Sequence, residues 1–201
     1  MISFFNVRTI SKKITLFITL LSSIIAVISN SALSSEFLRL HVKGEANGIV
    51  EIRLNHELAP LHVQRIIKLT EEGHYNGVAF HRVIDGFMAQ TGDIKFGKIR
   101  NFKSSLVGMG GSDYPNLLEE FSDLPFLRGT VGMARSRDPN SANSQFFIMF
   151  DSASHLDRKY TVIGRVVSGI DIVLAIKKGN PKNNGSVEEP DYIHLAEIFG
   201  R

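Results

Sequence analysis

The sequence predicts an all-β fold, an eight-stranded β-barrel with an α-helix over each open end. Two observations lead to this prediction. About eight short runs are rich in β-branched and aromatic residues or alternate apolar with polar ones, and only two stretches have a helical periodicity. Eight strands is a number at which side chains just fill the interior of a closed barrel. The length of 201 residues allows one such domain and leaves little room for a second.

The predicted domain opens with a β-hairpin followed by a helix. FLRLHV and GIVEIRL alternate apolar with polar residues, and KGEAN between them is rich in turn-forming residues. In APLHVQRIIKLTEEG, Pro60 suits the first helical position and Gly73 suits the position after the last turn. The apolar face of this helix is predicted to contain Val63, Ile66, Ile67 and Thr70.

Six further strands and a second helix complete the predicted fold. The strands are VAFHRVI, FMAQTG, TVGMA, QFFIMF, YTVIGRVV and YIHLAEIF. The helix is GIDIVLAIKKG, in which Ile172, Val173 and Ile176 share a face and the lysines lie in the last turn. Two irregular segments, 94–125 and 179–191, exceed ordinary loop lengths and are predicted to be functional surface or mobile.

Residues 1–34 are predicted to be a secretory signal that precedes a domain formed by residues 35–201. Three bases and no acid come before an apolar run at 14–28, and the small residues SNSALSS follow. The apolar run has about 15 residues, which is shorter than the roughly 18 expected of a membrane-spanning helix. We therefore expect export to a periplasm-like compartment with cleavage near Ala32 or Ser34. The alternative is a retained anchor in the inner membrane.

The composition excludes several classes of function. The chain has 23 Lys and Arg against 20 Asp and Glu, and three of the bases lie in the predicted signal. The predicted domain is therefore net neutral, and we expect no nucleic-acid partner. Because there is no cysteine, disulfides, a Cys nucleophile and thiolate metal sites are excluded. The seven histidines lack the close spacing of metal ligands, so we expect neither a metal site nor a cofactor.

No familiar nucleophile or phosphate-binding motif is present. The chain has no GxSxG, and the spacing of its Ser, His and Asp residues selects no catalytic triad. GMGGS at 108–112 is glycine-rich, but no GK[ST] follows, which favours a mobile surface loop over a phosphate cradle. QFFIMF resembles a base-stacking strand, but the neutral charge favours an aromatic core strand.

The stretch FHRVIDGFMAQTGD at 80–93 places Arg82 and Gln90 among apolar side chains. An arginine beside apolar groups is costly to bury without a partner. Its charge therefore reaches solvent, pairs with a carboxylate such as Asp85 or Asp93, or awaits a ligand. This stretch alone leaves those alternatives open.

Together with GTVGMARSRDPNSANSQFFIMF and HLDRKYTVIGRV, this stretch closely resembles the cyclophilins, which are peptidyl-prolyl cis-trans isomerases. The resemblance extends from about residue 37 to residue 199 in the same order, and FHRVIxGFMxQxGD followed by NSQFF is a highly specific pattern. The long insertion after Asp93 and the tyrosine at Tyr160 resemble the bacterial branch. The resemblance implies a closed, antiparallel, eight-stranded barrel with two capping helices, and acceleration of X-Pro isomerisation during protein folding.

The resemblance also implies roles for individual residues. Arg82 would be catalytic, and Gln90 would help to position the substrate. The remaining implied substrate-binding residues form a proline-ring pocket, a backbone site for the extended peptide, and a neighbouring subsite. They are Phe87, Met88, Phe147 and Leu156 in the pocket, Ala134 and Arg135 along the peptide, and Gln145 with residues 108–110 at the subsite. Phe146, on the opposite strand face, is assigned to the core.

Two positions on the pocket rim depart from the best-known family pattern. Many members have tryptophan where this chain has His155, and histidine where it has Tyr160. Tyr160 keeps an aromatic face and a polar tip. His155 lacks the large aromatic wall and the indole donor, which implies weaker binding of cyclosporin rather than weaker catalysis. The alternative interpretation is that His155 is a solvated surface residue with no role in the site.

The expected partners are proline-containing polypeptides that are unfolded or partly folded, and the protein is expected to be a monomer. Two other functions stay open at this point. One is a proline-recognising module without turnover, and the other is a membrane-tethered structural component that retains its leader.

Overall fold

The computed structural model describes residues 36–200, and the predicted signal lies outside the described residues. The described chain forms nine β-strands, two α-helices and short 3-10 turns. The strands are β1 (Glu36–Lys43), β2 (Gly48–Leu54), β3 (Val78–Ala79), β4 (Arg82–Ile84), β5 (Met88–Thr91), β6 (Thr130–Met133), β7 (Phe146–Met149), β8 (Val162–Ser168) and β9 (Tyr192–Gly200). The helices are α1 (Pro60–Glu71) and α2 (Ile170–Ala175).

All nine strands join one antiparallel sheet in the order β3-β9-β1-β2-β8-β6-β7-β5-β4. The predicted hairpin forms from β1 and β2, where Leu38 lies opposite Ile52 and Leu40 lies opposite Val50. These four side chains are fully buried. Because alternate residues of a strand point to opposite faces, this register turns one apolar face of the hairpin into the core.

The predicted closed eight-stranded barrel is not matched, because the described chain has nine strands and no ladder joins β3 to β4. The predicted strand VAFHRVI divides into β3 and β4 around Phe80 and His81. Phe80 N–H donates to the Asp191 carbonyl (2.8 Å), and the His81 carbonyl accepts from Val187 N–H (3.1 Å). A loop thus takes the hydrogen bonds that would have continued the strand. Since the two edge strands adjoin in the chain, the sheet curls back on itself as a half-barrel.

Helix α1 forms where it is predicted and packs against β9. Pro60 is its first residue, and Gly73, with a φ of +72°, follows its end. Ile67, predicted on the buried face, is only partly buried. The buried residues of the helix are His62, Val63, Ile66, Leu69 and Thr70.

Helix α2 is shorter than predicted. It ends at Ala175 because Ile176 has extended backbone angles (φ −52°, ψ 132°), so the lysines predicted in its last turn lie beyond it. Val173 and Ile176 are both fully buried. Gly179, the last residue of the predicted helical stretch GIDIVLAIKKG, instead donates its N–H to the Val83 carbonyl (2.9 Å). Neither helix of the described region has the length and apolarity needed to cross a bilayer.

The buried apolar residues form two clusters. The larger fills the space between the sheet and the helices and includes Phe146, as predicted, whose ring meets Tyr75 edge-on with centroids 5.6 Å apart. We call the smaller one the aromatic cluster. Its buried members are Met88, Phe126, Phe147, Met149, Ala153, Leu156 and Val162. Three of the residues predicted to hold a proline ring therefore belong to the aromatic cluster.

Candidate active site

Strands β4 and β5 bring the two polar residues of the predicted site together. Their antiparallel pairing places Arg82 opposite Gln90 and Ile84 opposite Met88. Directly paired residues point to the same face of a sheet, so these side chains are neighbours. Strand β7 pairs with the other edge of β5 and places Phe147 opposite Gln90. A cation, an amide and apolar side chains consequently share one surface.

Arg82 is half-buried, and all three nitrogens of its guanidinium have protein contacts. Nη1 donates to Gln90 Oε1 (3.2 Å) and lies 3.8 Å from Met88 Sδ. Nε donates to the Asn184 carbonyl (3.1 Å), and Nη2 donates to Asn184 Oδ1 (3.0 Å). Within residues 36–200 it forms no ion pair with Asp85 or with any other carboxylate. Burial lowers the pKa of Arg82 from its ordinary value.

A chain of amide hydrogen bonds determines how Gln90 faces the arginine. Gln145 Nε2 donates to the carbonyls of Gly108 (3.0 Å) and Gly110 (2.7 Å), which leaves Gln145 Oε1 as an acceptor. Gln90 Nε2 donates to that oxygen (2.9 Å), so Gln90 Oε1 faces Arg82. Because each amide has one donating and one accepting end, the glycine carbonyls set both orientations.

Asp93 is fully buried and holds the glycine loop rather than the arginine. Its Oδ2 accepts from the N–H groups of Gly108 (2.7 Å) and Gly110 (3.0 Å). Its Oδ1 accepts from the N–H groups of Lys95 (3.1 Å) and Phe96 (2.8 Å). The glycine amides that a phosphate would need are therefore already used, and charge-assisted hydrogen bonds hold the loop in place.

His81 packs beneath the same loop. It is 4% exposed, and neither ring nitrogen has a hydrogen-bond partner among the described residues. A Cβ atom on Gly108 would lie 3.6 Å from its ring. Burial lowers the pKa of His81 to about 4, although Asp93 acts in the opposite direction. His81 is therefore uncharged at neutral pH and adds no second cation beside Arg82.

The aromatic cluster lies next to the guanidinium through Met88. Phe147 stacks on Phe126 with ring centroids 5.8 Å apart, and Tyr160 meets Phe147 edge-on at 5.8 Å. Leu156 is buried in the same cluster. The sequence did not predict Phe126, since it follows a long irregular segment in which no periodic pattern marks a buried residue.

The rim of the cluster contains both positions that depart from the family pattern. His155 is exposed, and its imidazole stacks on the Phe87 ring with centroids 5.7 Å apart and an interplanar angle of 29°. This position thus combines solvent exposure with an aromatic contact. Elsewhere on the rim, the Arg135 guanidinium lies 4.3 Å from the centroid of the Tyr160 ring and donates to the Lys159 carbonyl (2.7 Å).

A cavity of about 570 Å³ adjoins Gln90 and is lined by Gln145, Ala134, Arg135 and the glycine loop. Ala134 N–H donates to the Gln145 carbonyl (2.9 Å). The next backbone groups along the chain, the N–H and carbonyl of Arg135, have no hydrogen-bond partner in the described part of the protein. An extended peptide in this cavity could pair with them as an added strand.

All the predicted site residues therefore lie on one connected surface, with Asn184 and Phe126 as additional neighbours. Asn184 carried only a weak signal, an Asn-Gly pair in a long loop. Among residues 36–200, no three potential ligand side chains converge as a metal site requires. The geometry defines a class of site in which a fixed cation and an amide lie beside an apolar cluster and an open cavity.

Comparison with known proteins gives this class a family. The model of the cyclophilin type peptidyl-prolyl cis-trans isomerase family matches residues 37–198. A probable peptidyl-prolyl cis-trans isomerase of Brucella suis is 61% identical over 153 residues, which cover 76% of this chain and 78% of that protein. Peptidyl-prolyl cis-trans isomerase A of Dickeya dadantii is 33% identical over 193 residues, covering 90% of this chain and 97% of that one.

Solved structures agree with this match. Cyclophilin AquaCyp293 from Hirschia baltica is 29% identical with a TM-score of 0.65, covering 80% of this chain and 73% of that one. A cyclophilin type isomerase of Cryptosporidium parvum, crystallised in the presence of the dipeptide Ala-Pro, shares the fold at 23% identity. Its TM-score is 0.68, with 82% of this chain and 99% of that one covered. The chain belongs to the cyclophilin type family and is a peptidyl-prolyl cis-trans isomerase.

Proposed function

We propose that Arg82 catalyses isomerisation by donating a hydrogen bond to the prolyl nitrogen while the X-Pro bond is twisted. Rotation about a peptide bond meets a barrier of roughly 18 to 20 kcal/mol because amide resonance is lost. In the twisted state the nitrogen is pyramidal and carries a lone pair. A donor to this lone pair stabilises the transition state more than either planar isomer, which is the requirement for catalysis.

The position of Arg82 Nη1 is the observation that carries this proposal. This nitrogen has two hydrogens; one contact is Gln90 Oε1 at 3.2 Å and the other is Met88 Sδ at 3.8 Å. A thioether sulfur is a weak acceptor, so the second N–H has no strong partner. Since Met88 belongs to the aromatic cluster, that N–H is directed at the surface where a proline ring would bind. A prolyl nitrogen there would replace the sulfur as the acceptor.

The remaining residues of the site would bind the peptide while one bond rotates. Phe147, Met88 and Leu156 would hold the proline ring in an apolar environment that excludes water from the planar amide dipole. The free backbone groups of Arg135 would pair with the extended chain, and Gln145 would border the next subsite. A charge-assisted hydrogen bond contributes about 1.5 to 3 kcal/mol. That corresponds to roughly ten- to more than hundredfold in rate.

We further propose that the substrates are proline-containing polypeptides that fold after export to a periplasm-like compartment. The Cryptosporidium relative was crystallised with Ala-Pro, which supports a peptide substrate. The basic, apolar and small-residue order of residues 1–34 supports export. N-terminal sequencing of the protein recovered from cells tests the second point: a start near residue 33 or 35 supports cleavage, and an intact Met1 contradicts it.

The rim and the charge support two further parts of the proposal. His155 stacks on Phe87 but offers no indole N–H, so cyclosporin binds weakly while peptide turnover is retained. Residues 35–201 carry no net charge, which supports the absence of a nucleic-acid partner. We also propose that the protein works as a monomer.

NMR exchange spectroscopy of an X-Pro peptide tests the proposed activity and mechanism. The wild-type protein is expected to accelerate cis/trans exchange, and Arg82→Ala is expected to lose most of this acceleration while remaining folded. Arg100→Ala, which removes an exposed arginine outside the site, serves as the control and should retain full activity. If the wild type binds peptide through Phe87 and Phe147 but leaves the exchange rate unchanged, a binding module replaces the enzyme as the explanation.

A further inference from the structure

The geometry points to Asn184 as the residue that fixes the orientation of the Arg82 guanidinium, an inference that rests on the proposed role of Arg82. The guanidinium is planar and has five N–H donors in a rigid fork. Asn184 binds one side of this fork twice, with its carbonyl on Nε (3.1 Å) and its Oδ1 on Nη2 (3.0 Å). Gln90 binds the remaining nitrogen. Acceptors on all three nitrogens define both the position and the plane of the group.

The backbone around Asn184 is itself fixed to the strand that carries Arg82. Asn184 has a φ of +50°, in the left-handed region that asparagine tolerates better than most residues. Val83 N–H donates to the carbonyl of the next residue, Gly185 (2.8 Å). A Cβ atom at Gly185 would lie 2.5 Å from Ile84 Cγ1, so only glycine allows this close approach. The separation of Asn184 from Arg82 is thus set by backbone contacts on β4.

The side-chain contact of Asn184 controls where the catalytic N–H points. If Oδ1 is removed, Nη2 loses its acceptor, and the guanidinium plane can tilt about the bond to Nε. Nη1 then moves away from the line to the prolyl nitrogen, and catalysis falls because alignment is lost. The groups that bind the ring and the peptide backbone are separate, so peptide affinity should change little. Asn184 is exposed, so water can solvate the freed groups and stability should also change little.

Asn184→Gly removes the side-chain contact with Arg82 and keeps the backbone contact, because glycine retains the carbonyl and accepts a φ of +50°. We expect kcat to fall about fivefold, with the peptide Kd within about twofold of wild type and the Tm almost unchanged. The matched control is Glu189→Gly. Glu189 also has a positive φ (+51°) and lies in the same loop, but it is exposed and does not contact Arg82. This control should retain wild-type kcat.

A double variant and a spectroscopic measurement show whether Asn184 acts through the guanidinium. Lysine has no planar fork, so Asn184→Gly should cause no further loss in an Arg82→Lys background. The ¹⁵N spectrum should show separate Nη1 and Nη2 signals for Arg82 in the wild type, averaged signals in Asn184→Gly, and separate signals again in Asn184→Asp, which keeps an oxygen acceptor.

If Asn184→Gly lowered kcat by the same factor in the Arg82→Lys background as in the wild type, the inference would be overturned, because Asn184 would then act through the loop. Unchanged kcat in Asn184→Gly alone would also overturn it. The proposed mechanism fails by a different result: full activity in Arg82→Ala contradicts catalysis by the arginine whatever Asn184 does. Loss of activity in Arg82→Ala combined with wild-type kcat in Asn184→Gly rejects only the positioning role.

Discussion

Replacement of Asp93 by asparagine should release the glycine loop that holds the amide chain of the site. The buried carboxylate accepts four backbone N–H groups, two on each oxygen, including those of Gly108 and Gly110. Asparagine has the same shape but only one accepting oxygen, and its NH₂ group would face two N–H donors. Two hydrogen bonds are lost, and the other two no longer involve a charged acceptor.

The expected loss of stability follows from these contacts. Hydrogen bonds to charged groups contribute about 1.5 to 3 kcal/mol each, and a buried donor without an acceptor adds a further cost. Two such bonds therefore give a loss of about 3 to 6 kcal/mol in the free energy of unfolding, a large share of the roughly 5 to 15 kcal/mol of a typical domain. Activity should also fall, because the carbonyls of Gly108 and Gly110 orient Gln145 and, through it, Gln90.

Urea denaturation of Asp93→Asn and of Asp113→Asn measures this effect. Asp113 lies in the same irregular segment but is exposed and makes no side-chain hydrogen bond within the described residues. Its replacement should change the free energy of unfolding by less than about 0.5 kcal/mol. A loss below about 1 kcal/mol in Asp93→Asn would refute the view that this carboxylate holds the loop.

Two further predictions concern the aromatic cluster and the buried histidine. A Cβ atom in Gly132→Ala would lie 2.6 Å from Phe147 Cζ and 2.7 Å from Phe126 Cε1. This variant should lower the free energy of unfolding by about 1 to 3 kcal/mol and raise the peptide Kd. A free energy of unfolding and a peptide Kd equal to those of the wild type would contradict this packing. Because the pKa of His81 falls to about 4 from an ordinary 6.5, the unfolded state binds the proton first as pH decreases. The free energy of unfolding should therefore fall between pH 6.5 and pH 4, by up to roughly 3 kcal/mol, and His81→Gln should lack this fall. If the wild type and His81→Gln lost stability in parallel over this pH range, the buried histidine would not be the cause.

Local patterns predicted most of the fold, and tertiary hydrogen bonds explain the differences. Alternation and turn residues sufficed for the β1–β2 hairpin, and the Pro60 and Gly73 signals sufficed for α1. The split of VAFHRVI could not be predicted, because it depends on hydrogen bonds that Phe80 and His81 make with a loop more than a hundred residues later. The early end of α2 has a similar cause, since Lys177 N–H donates to the Asp191 carboxylate (2.8 Å) instead of continuing the helix.

Part of the candidate site could likewise be predicted from the sequence, and part could not. The motif predicted that Arg82 and Gln90 belong to one site, and they do pair directly across β4 and β5. It did not indicate which acceptors would hold the guanidinium. A carboxylate partner was one of the alternatives left open, whereas the structure has amide and carbonyl oxygens. Asn184 lies 102 positions from Arg82 in the chain, and Phe126 follows an irregular segment. Neither position belongs to a periodic element, so only the folded structure assigns them to the site.

The most direct test of Arg82 as a donor to the transition state compares the exchange rate with the binding constant. NMR exchange at saturating X-Pro peptide gives the rate in the complex, and titration gives the Kd, for the wild type and Arg82→Ala. For Arg82→Ala we expect the saturated rate to fall by about tenfold to a hundredfold while the Kd changes by less than about threefold. A Kd that rises with an unchanged saturated rate would show that Arg82 only binds the substrate, which contradicts its role as a donor to the transition state.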